Sequence, residues 1–117
     1  MTVKEIEEKY LYYSDLHGDM NVNNIKANKS AKELVKLNTY MSNNLDIAKQ
    51  VIDDILYTDK INAKIWITGL AIDINYKKQE VIDLLVSLSK DKTIGILAMN
   101  ARGVLVIKKI ISINDPF

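Results

Sequence analysis

The residues in this 117-residue chain whose types could do chemistry are few and scattered. Carboxylates recur at Asp53, Asp54, Asp59 and Asp73. General acid–base work needs two such groups held in one enclosing cleft, and no local pattern here supplies it. They are expected on helix surfaces and at caps. Lys26, Lys29, Lys32 and Lys36 follow one another at steps of three and four, a spacing that could form a phosphate-binding stripe on a helix. Glu33 lies among them and no arginine accompanies them, whereas bidentate phosphate contact and base readout favour Arg. A solvated face is the plainer expectation, with an acidic protein partner ranked ahead of nucleic acid. Trp66 is expected in the core, while Tyr12 falls off the apolar stripe of its helix and is the better interface anchor. Arg102, the sole arginine, either holds a carboxylate inside the fold or faces a partner. With no cysteine, thiol nucleophiles, disulfides and thiolate metal sites are excluded.

One stretch invites a metal. Ser14-Asp15-Leu16-His17-Gly18-Asp19 resembles the opening motif of metallophosphoesterases, in which Asp and His two residues apart hold one ion of a dinuclear site. The resemblance implies further His, Asn and Asp ligands from later loops, yet His17 is the one histidine in the chain. The preceding residues have helical periodicity and carry Glu7, Glu8 and Lys9. A helix C-terminus is therefore expected, with His17 near the negative end of the dipole and Gly18 in the left-handed conformation. No metal or other cofactor is expected, and no enzyme.

Sixteen basic residues stand against fifteen acidic ones, so no global field calls for nucleic acid or an anionic membrane. The N-terminus lacks the apolar run of a secretory signal and no stretch is long enough to span a bilayer, which makes a cytoplasmic location the default expectation. The length predicts one domain with a sizeable core. Four glycines and one proline favour helices over sheet.

The elements must then position whatever the chain uses. From Ile61 to Ile74 nine of fourteen residues are apolar. Ala63, Trp66, Ile67, Leu70 and Ile74 fall on one helical face, and Ile61, Ile65 and Ile72 on another. A helix apolar over most of its circumference is packed from both sides. Around it the spacing predicts helices at about 2–16, capped by Thr2; a second capped by Asp19 or Asn21, with Ala27, Ser30, Leu34, Leu37 and Met41 inward; 46–57, capped by Asp46; 60–74, capped by Asp59; 78–90; and 94–112, capped by Thr93. Gly103 inside the last helix costs about 1 kcal/mol against Ala and is expected to have a packing reason. Lys64–Ile74 and Gly103–Ile113 are rich in β-branched residues and could be strands by propensity alone, but their apolar positions do not alternate cleanly.

Val51-Ile52-Asp53 returns as Val81-Ile82-Asp83 thirty residues later, each time opening a helix–turn–helix unit. Repeated helix pairs of this period are the mark of a helical solenoid. On these features the chain resembles HEAT-like and armadillo-like helical repeats. More narrowly, it is similar to a small bacterial family of unknown function with Gly-Asp before a helix bearing Ala-Asn, here Gly18-Asp19 and Ala27-Asn28, and a basic residue just before Trp, here Lys64-Ile65-Trp66. The resemblance implies one all-α domain of three αα-hairpins in a short right-handed superhelix. By analogy it implies a non-enzymatic scaffold of immunity type that neutralises a bacterial toxin. Second helices line the inner face of such stacks, which points to Lys26, Lys29, Lys36, Lys64 and Arg102, with Tyr12, against a partner with an acidic surface. The alternative is a nucleic-acid-binding repeat that uses the lysine face.

Overall fold

Thr2 caps the first helix, its hydroxyl accepting from the Glu5 N–H at 3.1 Å and donating to the Glu5 carboxylate at 3.2 Å. The computed structural model describes residues 1–19 and 22–115, and among these every regular element is helical. In order they are α1 (Val3–Gly18), α2 (Asn24–Ser42), α3 (Leu45–Leu56), α4 (Ile61–Asp73), α5 (Lys78–Ser89), a 3-10 turn (Lys92–Ile94) and α6 (Ile96–Ile107). The strand alternative is thereby removed for both β-branched stretches. None of these helices is long and apolar enough to cross a membrane.

The helices pair consecutively as three hairpins, α1–α2, α3–α4 and α5–α6, and α4 packs against all five others. Its burial follows from its composition: Ala63, Ile65, Ile67, Thr68, Leu70, Ala71 and Ile72 are all buried. The predicted stripe of α2 also lies inward, with Ser30, Leu34, Leu37 and Met41 buried. From α1 come Ile6 and Tyr10, and the Tyr10 hydroxyl donates to Asn38 Oδ1 at 2.8 Å, satisfying a fully buried polar group. Val51 and Val81 are both buried on the first helix of their hairpins, as are Ile55 and Leu85 four residues on. The radius of gyration, 13.6 Å, is close to the value of about 13 Å expected for a compact chain of this length, so the hairpins close on a common core.

Several ends differ from expectation. Asn23, with its side chain accepting from the Lys26 N–H at 2.9 Å, caps α2. Asp19 is instead the C-cap of α1, and Asn21 lies outside the described residues. Asn44 and Lys60 occupy the N-cap positions of α3 and α4, so Asp46 falls within the first turn of α3 and Asp59 lies outside α4. Thr93 sits in the 3-10 turn, capped by Asp91, and α6 starts after Gly95, whose backbone (φ 62, ψ −130) suits glycine alone. The same helix ends at Ile107 rather than 112. Lys109 turns left-handed (φ 60), and the N–H groups of Ile110 and Ile111 return to the Leu105 carbonyl. Gly18 is helical rather than left-handed: its need is space, since a Cβ there would stand 3.0 Å from Asn62 Nδ2.

Candidate functional site

The second helices of the three hairpins, α2, α4 and α6, enclose a groove of about 590 Å³. Its floor is α4, through Ile65, Trp66, Gly69, Leu70 and Asp73. One wall is the later half of α2, with Val35, Asn38, Thr39 and Ser42; the other is α6, with Met99, Asn100, Gly103, Val104 and Ile107. Polar pairs mark both ends of the floor. At the C-terminal end Lys108 bonds Asp73 at 2.8 Å. At the N-terminal end stand His17 and Asn62.

His17 is placed by two neighbours, Asn62 and Trp66. Asn62 Nδ2 donates to the Ser14 carbonyl at 2.9 Å, which fixes the amide orientation, and lies 3.1 Å from His17 Nδ1. Trp66 Nε1, which can only donate, reaches the same nitrogen at 3.3 Å, with the two rings edge to face. Nδ1 is therefore the acceptor, and the neutral imidazole carries its proton on Nε2. Burial lowers the pKa of His17 from its ordinary value, and two donors on one nitrogen oppose the charged form in the same direction. This is a lock between α1 and α4 at the end of the groove. Of the Asp-x-His motif, His17 is engaged through Nδ1 in this contact while Asp15 is exposed, and no group of three or more His, Asp or Glu side chains that could hold a metal occurs among the described residues.

The α6 wall is unusual. Ile96, Met99 and Ile107 are 61%, 72% and 74% exposed, and with Gly103 they form one line along the helix. A Cβ on Gly103 would meet nothing within 4 Å. The expected packing reason for this glycine is therefore absent, and its missing side chain leaves open space in the groove. Gly69, opposite, would bring a Cβ only against Lys108 Cε, at 3.6 Å.

The residues singled out by sequence do not converge here. Lys26, Lys29 and Lys36 are exposed on α2, Lys36 paired with Glu33 at 3.3 Å, and Lys64 is half-buried; none lines the groove. Tyr12 is exposed on α1 against the edge of Tyr13. Arg102 donates to the Ile113 and Asp115 carbonyls at 2.9 Å, tying the segment after α6 back to the helix. Trp66, expected in the core, is half-buried on the groove floor.

The carboxylates are also dispersed. Asp53 accepts from Lys77 at 2.7 Å and from the Tyr76 hydroxyl at 3.0 Å, and the Lys77 hydrogen bond holds its carboxyl below the usual range. Glu7 is different. Its Oε1 is enclosed with no donor in reach, and burial together with the neighbouring Asp54 carboxylate pushes its pKa up to about 7. The pair joins α1 to α3, on helices that do not form the groove walls.

The groove's floor and α6 wall are largely apolar, its α2 wall carries Asn38, Thr39 and Ser42, and Met99 and Ile107 stand exposed along it. The signal that could have found it lies in α6, where Asn100 and Arg102 are the only polar side chains and glycine sits in the middle. No family model, no curated protein and no solved structure matches the chain.

Proposed function

We propose that this chain is a non-enzymatic protein-binding module whose working surface is the groove over α4. The observation that supports it is the uncovered apolar line Ile96–Met99–Ile107 on α6, of which Met99 and Ile107 line a concave surface with a largely apolar floor. Contiguous exposed apolar surface is costly to keep in water and marks interaction sites. A groove of this volume falls within the range of about 300–1,000 Å³ that binding sites occupy. Occlusion of a toxin domain, the immunity-type role implied by analogy with helical repeats, is one form of such binding. A toxin-bearing reading frame directly upstream would support that form.

The test compares capture of partners from lysate by the native chain and by a Met99→Glu/Ile107→Glu double variant. Both positions are exposed, so the variant should fold with an unchanged thermal midpoint. A stoichiometric protein retained at moderate salt by the native chain alone supports the groove. Capture of the same set by both discards it, and recovery only of nucleic acid that salt removes moves the lysine face of α2 forward.

A further inference from the structure

We propose that the groove receives an amphipathic helix whose apolar stripe is flanked by acidic side chains; this rests on the groove being the working surface. The first observation is how charge divides between the helices. On α2, Lys26, Lys29, Lys32 and Lys36 stand against Glu33 alone, and Arg102 is the one charged residue of α6. No carboxylate occurs between Lys92 and Asn114. The carboxylates gather instead on the helices outside the groove walls: four against two lysines on α1, three against Lys49 on α3, and two against Lys78 on α5. In a chain of net charge +1 the basic excess thus lies on α2, beside the groove, and the acidic excess on α1, α3 and α5, while the groove's own Asp73 and Lys108 pair with each other.

The second observation is where those lysines lie. Lys29, Lys32 and Lys36 form one row, and at about 100° per residue that row runs beside Val35 and Thr39, on the outer shoulder of the wall. All three are exposed, and the Lys36–Glu33 pair is solvated at both ends, so either side chain can turn to a partner at little cost. An occupant of the apolar trough meets this row as it descends. Acidic flanks would be drawn in and basic flanks repelled.

The third is the shape, which fits a helix rather than a strand. Floor and walls are helices whose backbone groups are bonded internally, so an extended peptide finds no edge to pair with. Met99, Gly103 and Ile107 recur at steps of four and form a ridge with a gap at Gly103, into which a side chain of an incoming helix can seat. The floor from Asn62 to Asp73 is about 17 Å long at 1.5 Å per residue, three helical turns. A second copy is a poorer occupant. The uncovered stripe it would offer, on α6, is followed by Lys109 and brings no carboxylate to meet the lysines of α2.

Trp66, the one tryptophan, lies on the floor and reports occupancy through its emission. Two tryptophan-free synthetic helical peptides are titrated into the full chain, sharing one leucine stripe and carrying either Glu or Lys flanks. The acidic peptide is expected to bind about tenfold tighter at low ionic strength, with the advantage shrinking as salt is added. A Lys32→Glu/Lys36→Glu variant, altered only at exposed positions, should reverse the preference. Equal affinities, a preference for the lysine peptide, or no response to either would overturn the proposal. In that last case an apolar dye separates the two levels. If the dye moves Trp66 emission in the native chain and not in Gly103→Leu, the groove stands and the acidic helix falls; if it moves neither, both fall. A concentration-dependent dimer in sedimentation that Met99→Glu abolishes would assign the groove to a second copy and overturn the proposal as well.

Discussion

Helices α4 and α6 are alike in composition and opposite in circumstance. Each is apolar around most of its circumference and carries a glycine near its middle. The first meets every other helix and buries seven of its thirteen residues; the second buries Ala101 and Leu105 and leaves Ile96, Met99 and Ile107 in solvent. The same sequence property, a helix with no polar face, is thus satisfied by the fold in one place and left unsatisfied in another. Where it is satisfied it specifies architecture. Where it is not, it marks the surface proposed above for binding.

Substitutions can sharpen or break that contrast. The largest effect should come from truncation on α4: Ile67→Ala removes a fully buried side chain and is expected to cost about 2–5 kcal/mol. Met99→Ala on α6 should stay within about 0.5 kcal/mol. Urea unfolding of both variants measures the difference, and similar losses would erase the distinction between the helices. Trp66→Phe comes next. Loss of its bond to His17 should cost about 1 kcal/mol at pH 8. Because the folded pKa of His17 is lowered, the contribution of this lock is present above about pH 6.5 and fades as pH falls through the folded value. The cost of Trp66→Phe should therefore shrink at pH 5, and a constant cost would mean that His17 does not couple α1 to the floor.

A change away from the groove gives the opposite pH dependence. Glu7 holds its proton to about pH 7 when folded but releases it near 4.5 when unfolded, so its contribution to stability declines as pH rises across that window. Glu7→Gln should remove the decline and, with solvent screening allowed for, gain about 1 kcal/mol at pH 8. Thermal melts across the window decide it. The smallest effect belongs to α6: Gly103→Ala should stabilise by up to about 1 kcal/mol, since helix propensity improves and the new methyl touches nothing. It should also weaken occupancy of the groove. A destabilised Gly103→Ala would restore the packing role that its open surroundings deny.

Much of the architecture was legible because burial leaves a periodic trace. The stripe of α2 and the two-sided demand of α4 could be read directly, and the thirty-residue echo placed the hairpins. The end of α6 could not. Apolar residues run on through Ile110 and Ile111, and the stop is a left-handed Lys109, a residue type that carries no turn signal. The caps expected at Asp46 and Asp59 fall instead at Asn44 and Lys60, because a capable side chain one or two residues away does not fix where the backbone enters the helix. The groove was missed for a different reason. Lysines and a lone arginine attract attention in one dimension, whereas a concave apolar surface arises only when residues from α2, α4 and α6 meet.

The position of α4 also governs how the molecule opens. A segment touched by all five other helices cannot expose its amides by fraying at one end or by detaching one hairpin. Its hydrogen exchange should therefore proceed only through global unfolding, while α6 and the segment tethered by Arg102 exchange through smaller, earlier openings. The wall of the groove can then breathe while its floor stays rigid, so a bound partner would register as slowed exchange on one side of the trough alone.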